Sequence, residues 1–191
     1  MTILRTLLRA LVLLALLTLI AGVAYPAVVT GIAQVAFPHQ ANGSMITVDG
    51  RTVGSSLIGQ AFSDPKYFWG RPSAAGPNGY DASGSAGTNL GPTSRALIAE
   101  VTAAIDRERA ANGGGSVPVD LVTSSASGLD PDISPAAAAY QVARVAAARG
   151  MSAADVEAAI ARHTEQPLFG FIGEPRVHVL ELNLDLDGLL G

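Results

Sequence analysis

The chain has 191 residues, a formal net charge of −4 at pH 7 and no cysteine. Disulfides, thiolate metal sites and cysteine nucleophiles are therefore excluded, and the acid excess argues against nucleic acid as a partner, because phosphate binding needs a concentrated basic face. All 16 acidic residues and all but two of the 12 basic ones follow residue 39, which leaves about 150 residues for one domain with a modest core.

From Ala10 to Phe37 no residue is charged. At a rise of about 1.5 Å per residue, the roughly 20 residues from Ala10 to Val29 reach across a hydrocarbon layer of about 30 Å. Arg5 and Arg9 precede this span and the next Lys or Arg is Arg51, so the positive-inside rule puts the N-terminus in the cytoplasm. The expected layout is residues 1–9 cytoplasmic, 10–36 transmembrane and 40–191 extracytoplasmic. A cleaved secretory signal, with Gly22 and Ala24 as the small residues of the cleavage site, is the competing reading. Against it, the uncharged stretch continues through Val29, Val35 and Phe37. Pro26 is expected to kink the helix, and Ala21, Gly22, Ala24 and Gly31 leave small surfaces for close approach of another helix.

Beyond the span, Ser44 to Ser55 reads as a hairpin turning at Asp49-Gly50. Residues 63–92 are rich in Gly, Pro, Ser, Asn and Asp and read as a long structured loop, since they hold Tyr67, Phe68 and Trp69 in a chain poor in aromatics. The aromatics serve as core or as an interface anchor, core being the simpler reading. A helix is expected from Thr93 or Ser94, with Leu97, Val101 and Ile105 on one stripe and a stop at Asn112-Gly113. Val117 to Val122 is a strand candidate. Ser134 as N-cap and Pro135 at the first helical position open a second helix with Ala138, Val142, Val145 and Ala146 inward and Gly150 as its stop. Ser152 and Asp155 open a third, with Val156, Ala159, Ile160 and His163 on one face. Arg176 to Leu186 alternates like a strand, with a phase slip at Val179-Leu180 that suggests a bulge. The fold class is α+β: a single N-terminal transmembrane helix followed by one extracytoplasmic mixed α/β domain.

The usual catalytic and metal motifs are missing: no nucleophile elbow, no zinc-protease pair of histidines, no P-loop. His39, His163 and His178 fall in three different predicted elements, and His163 reads as a helix-end imidazole favoured by the C-terminal dipole. The glycine-rich run from Gly79 to Gly91 could wrap an anion with backbone N–H groups but lacks a P-loop lysine. No catalytic residue and no metal ligand is assigned.

Four long blocks remain, in order: 67–74 (YFWGRPSA), 80–92 (YDASGSAGTNLGP), 118–135 (PVDLVTSSASGLDPDISP) and 173–184 (GEPRVHVLELNL). Behind one N-terminal span, they make the chain resemble the C subunit of the Kdp potassium-transporting ATPase over nearly its whole length. Departures are small: Ser85-Ala86-Gly87-Thr88-Asn89 replaces a Ser-Gly-Gly-Ser-Asn run, Asp132 stands where His is more usual and His178 where Asn is common. The resemblance implies a bacterial inner-membrane complex in which a channel-like subunit selects K⁺, a P-type subunit hydrolyses ATP and a small single-helix subunit helps hold them. The C subunit is then a non-catalytic accessory chain needed for assembly and activity, with potassium carried by the complex.

The resemblance also implies that the C subunit raises the ATP affinity of the P-type subunit, which makes Arg71, Asn89, Thr123, Ser124, Ser127, Gly128 and Asp130 interface or nucleotide-contact candidates. The expected topology opposes a direct ATP contact, because it leaves these residues outside the membrane where ATP is scarce. The plain structural reading of 122–135 is a turn-rich loop in which Asp130 caps or braces Ser134. Arg71 either pairs with an acidic residue of another subunit or braces its own domain through Asp81 or Asp130, the brace being favoured. The acidic surface either focuses K⁺ near a channel mouth or is ordinary solvated surface. A membrane-tethered binding module using the 63–92 loop, and a tethered hydrolase using a Ser with one of the histidines, are the readings from other classes.

Overall fold

The computed structural model describes residues 2–189. Contacts divide the chain into two compact units, one ending at Met45 and one beginning at Ile46. The first is a helical run of α1 (Thr2–Leu19), a π turn (Ile20–Ala24) and α2 (Tyr25–Ala36), followed by the single turn α3 (Pro38–Ala41). Its leucine-rich sequence forms helix easily, and its large side chains are exposed throughout. The helix over Thr2–Ala36 is long and apolar enough to cross a membrane. Where a kink is expected at Pro26, the helix carries a π turn just before the proline. Pro26 has no N–H to give, and the Tyr25 N–H reaches back five residues to the Ile20 carbonyl.

The second unit confirms the α+β class. Its hairpin pairs β1 (Met45–Val48) with β2 (Arg51–Ser55). Asp49 at φ 49° and Gly50 at φ 75° supply the two left-handed residues that a tight hairpin turn requires. Helix α4 (Arg95–Asn112) starts after Ser94 and stops at Gly113 in the left-handed conformation. Helices α5 (Pro135–Arg149) and α6 (Ala153–Arg162) are capped by Ser134 and Ser152, whose hydroxyls accept the Ala137 and Asp155 N–H groups. A small antiparallel sheet runs β3–β5–β4, with β3 (Asp132–Ile133) and β4 (Thr164–Glu165) flanking β5 (Arg176–His178). Helix α7 (Val179–Leu186) closes the described chain.

The core lies among α5, α6, α7 and the buried residues of β3 and β5. Ala137, Ala138 and Ala146 let α5 approach its neighbours closely, while Val142, Val145, Val156, Ile160, Val177 and Leu182 fill the space around Phe68 and Leu121.

Two elements depart from the strand pattern read in the sequence. Val117 to Val122 is not a strand: Val119–Leu121 forms a 3₁₀ turn, closed by Leu121 N–H to the Pro118 carbonyl and Val122 N–H to that of Val119. Leu121 and Val122 are both buried, which two neighbouring residues of a half-exposed strand do not achieve, since successive side chains there face opposite ways. Arg176 to Leu186 is a strand only to His178 and then a helix. The apparent phase slip marks the switch. Leu180 with Leu184, and Leu182 with Leu186, are pairs four apart, so the alternation of leucines is equally a helix buried on two faces. His178 starts that helix by accepting the Glu181 N–H at Nδ1, while its Nε2–H donates to the Ser56 carbonyl, which selects the Nε2–H tautomer.

The end of α6 is tied to α7 through Asp185, which lies 2.7 Å from Arg162 and 3.0 Å from His163. Burial works against ionisation of Asp185, but the hydrogen bonds from Arg162 and His163 outweigh it and hold the carboxyl below its ordinary value. A depressed carboxyl pKa contributes stability that is present above the ordinary carboxylate range of about 4 and lost as pH falls through the folded value. Asp185→Asn is therefore expected to destabilise the unit at pH 7 and to make a smaller difference near pH 3. Urea unfolding at the two pH values checks this, and an equal difference at both would show that the ionised carboxylate does not hold this contact.

Candidate functional site

After the turn closed by the Tyr67 N–H on the Asp64 carbonyl, the segment 68–71 belongs to no helix or strand, and the backbone polar groups around it are met by side chains from the helices. Asn183 accepts the Phe68 N–H at 2.8 Å and donates to the Phe68 carbonyl at 3.0 Å. Gln141 does the same for Trp69, at 2.8 and 3.1 Å. Arg144 donates to the Pro65 and Tyr67 carbonyls and stacks 3.9 Å over the Trp69 ring, while Arg149 donates to the Lys66 carbonyl and pairs with Asp187. Burial pulls the Arg144 guanidinium down to about 10, with Glu108 opposing, so it stays charged at neutral pH. Phe68 enters the core, as the plain reading of the aromatics expects. Tyr67 and Trp69 are half-buried beside it, Tyr67 donating to Asp187.

This frame presents Arg71, whose side chain ties its own loop to the 123–130 loop. Its Nη1 donates to Asp130 at 3.0 Å, its Nε to the Thr123 carbonyl at 3.3 Å and its Nη2 to the Ser124 carbonyl at 3.4 Å. The ion pair is about three-quarters buried. Next to it the Ser73 hydroxyl donates to the Gly128 carbonyl at 2.6 Å and accepts the Ala75 and Tyr80 N–H groups. The Tyr80 hydroxyl donates to the Arg71 carbonyl at 2.7 Å. Burial, reinforced by the Asp130 carboxylate, pushes that hydroxyl up to about 12, so it remains a donor. A second stretch of the 63–92 loop arrives through Ala86 N–H and the Ser85 hydroxyl, both donating to the Ser127 carbonyl. Contacts are so close that Gly59 has no room for a side chain: a Cβ there would lie 2.5 Å from both the Asp130 carbonyl and the Tyr80 ring. A cleft of about 480 Å³ opens beside this knot, lined by Trp69, Arg71, Tyr80 and Arg107 among others.

Of the residues singled out in the sequence, Arg71, Thr123, Ser124 and Asp130 meet directly, Thr123 and Ser124 through their carbonyls. Ser127 and Gly128 lie one step away, bonded to the 85–86 loop and to Ser73. Asn89 stays within its own loop, donating to the Gly87 carbonyl. The brace of Arg71 is Asp130. Asp81 instead accepts from the hydroxyl and N–H of Ser83. Ser134 is braced by Asp120, which accepts its N–H at 2.7 Å and its hydroxyl at 3.2 Å, whereas Asp130 accepts the Asp132 N–H. The expectation that Asp130 braces Ser134 is corrected accordingly: Asp130 has turned towards Arg71. Asp132 pairs with Arg176, and burial raises its pKa against the pull of Arg176.

Sequence reasoning passes over Ser73, Tyr80, Asp120, Gln141 and Asn183. For two of them a signal exists, because Gln141 sits on the inner stripe of α5 and Asn183 between two buried leucines, and a buried amide must find partners. Among the described residues no group of three or more His, Asp and Glu is placed to hold a metal ion.

Residues 7–188 match the family model described as K+-transporting ATPase, c chain (KdpC). The chain belongs to the KdpC family. Two similar KdpC relatives, each described as a potassium-transporting ATPase KdpC subunit, come from Sorangium cellulosum and Variovorax paradoxus. The first is 60% identical over 94% of this chain and 95% of its own length, the second 61% identical over 93% of each. A third KdpC relative, from Methylococcus capsulatus, is 57% identical over 94% of this chain and 96% of its own length. The KdpC match takes in every loop of the Arg71 knot, as well as most of the apolar helix.

Proposed function

We propose that the chain is a non-catalytic clamp of an ATP-driven, high-affinity potassium uptake complex, anchored by its N-terminal helix in the bacterial inner membrane. The N-terminus is cytoplasmic and the larger unit extracytoplasmic, where it grips and caps the channel-like potassium-binding subunit. ATP hydrolysis belongs to the P-type subunit, and a small single-helix subunit completes the assembly. Family membership supports the place in the complex, and the charge pattern around the helix supports the orientation.

The observation that carries the clamp is the Arg71 knot. Two stretches of the 63–92 loop are locked onto the 123–130 loop by a mostly buried ion pair, backbone bonds and a glycine that admits no side chain. A surface fixed before binding loses little conformational entropy on docking, which suits an obligate interface. The guanidinium is already engaged by Asp130 and two carbonyls, which favours a positioning role for Arg71 over a nucleotide contact.

Arg71→Ala is expected to cost about 1–3 kcal/mol, the worth of charge-assisted hydrogen bonds that are largely but not fully shielded from water. Recovery of the complex and growth at low external K⁺ should fall together. A complex recovered in full that has lost ATP affinity would overturn the clamp and favour direct nucleotide contact.

A further inference from the structure

Between β4 and β5 the chain makes a tight turn whose side chains point away from the core. Leu168 and Ile172 exchange two backbone hydrogen bonds of 3.0 Å, and the Gly170 N–H closes on the Pro167 carbonyl at 2.8 Å. The tip is therefore ordered by its own backbone. It displays Leu168, Phe169, Phe171 and Ile172 at 62, 80, 78 and 52% exposure, an unusual apolar concentration for a small unit. Phe169 adopts φ 54°, a conformation that a bulky residue seldom takes. Neither packing nor solubility accounts for a phenylalanine held in that strained position and turned to solvent, and such strain collects where a side chain is displayed for use.

Charge narrows what the tip meets. Its flanks carry Glu165 and Glu174, and no Lys or Arg lies between Arg162 and Arg176; Arg176 itself pairs with Glu165 and Asp132, so at the foot of the tip the acids still outnumber the one base. Loops that settle on bilayers pair apolar residues with Lys or Arg against anionic headgroups, and here the sign is reversed. A second copy would bring the same acids against themselves. An apolar recess with a basic rim complements both the tip and its flanks.

We propose that the Leu168–Ile172 tip is a docking prong that inserts into an apolar, basic-rimmed pocket on another subunit of the transport complex. This rests on the reading of the chain as an obligate subunit and adds a second contact, carried by residues outside the Arg71 knot.

The absence of cysteine makes the test direct, because Phe171→Cys gives this chain a single thiol. Its maleimide labelling rate is measured in the full-length chain alone in detergent, in the assembled complex, and in phosphatidylethanolamine–phosphatidylglycerol vesicles without other subunits. Glu157→Cys on α6 serves as an exposed control, and Leu168→Cys repeats the reading should Phe171→Cys weaken assembly. Labelling should slow about tenfold in the complex alone, since the centre of a protein interface excludes water. An unchanged rate in an intact complex overturns the prong. Slowing in vesicles alone, or slowing that depends on the concentration of the isolated chain, overturns the choice of occupant. Failure of the chain to co-purify with any other subunit defeats the subunit reading itself, and so is distinct from an assembled complex with a reactive thiol.

Discussion

Gly128→Ala is expected to destabilise the larger unit by about 2–6 kcal/mol, combining strained backbone with steric overlap. Gly128 has φ 66°, and a Cβ there would lie 2.5 Å from the Ala86 carbonyl oxygen and 2.8 Å from the Ala75 nitrogen. Both obstacles are backbone, so neither can rotate away. Relief requires the 123–130 loop to withdraw from the 85–86 loop, which breaks the bonds of Ser85 and Ala86 to the Ser127 carbonyl and of Ser73 to the Gly128 carbonyl. Arg71 and Asp130 keep their charges in this variant, so it tests the shape of the knot apart from its electrostatics. Urea unfolding of the detergent-solubilised chain, followed through the single tryptophan, measures the stability loss, and complex recovery should fall with it. A variant of unchanged stability would mean that the loops are held apart in solution.

Asn183→Leu is expected to cost about as much, roughly 2–6 kcal/mol, although leucine is similar in volume and more apolar. Asn183 is 1% exposed and satisfies both backbone groups of Phe68. Leucine leaves a buried donor and a buried acceptor unpaired, each costing about 1–3 kcal/mol. Equilibrium unfolding measures this directly. Asn183→Asp tests the same bonds from the other side: a buried carboxylate accepts the Phe68 N–H but repels the Phe68 carbonyl and loses its hydration, so a loss at least as large as that of leucine is expected at pH 7. Equal stability of the leucine variant and the parent would show that the amide bonds contribute nothing net.

What the sequence makes legible is local. Ser134, Pro135 and Gly150 mark both ends of α5, Ser152 marks the start of α6, and Asp49-Gly50 marks the hairpin, because each signal acts within four residues of its own backbone. Val117 to Val122 and Arg176 to Leu186 mislead for one shared reason: short apolar alternation also fits a turn or a helix that is buried on several sides, and tertiary packing decides. Within the candidate site, Arg71 and Asp130 are legible as charges in need of partners, and their pairing is one of the two braces that the sequence leaves open. The roles of Asp120, Tyr80 and Ser73 are not legible, since each depends on a loop arriving from elsewhere in the fold. Composition does point to the 63–92 segment as ordered, and the structure supplies the reason: helix side chains satisfy the backbone of 65–69, and the 123–130 loop holds residues 71–73 and 85–86.

On the function proposed above, the Arg71 knot is a surface for another subunit and not a nucleotide site. Hydrogen–deuterium exchange over residues 70–74 and 123–130 tests it most directly, comparing the isolated full-length chain with the assembled complex, each with and without ATP. Exchange in both segments is expected to slow on assembly and to be indifferent to ATP. Exchange that is unaffected by assembly, or that slows only when ATP is added, would contradict it.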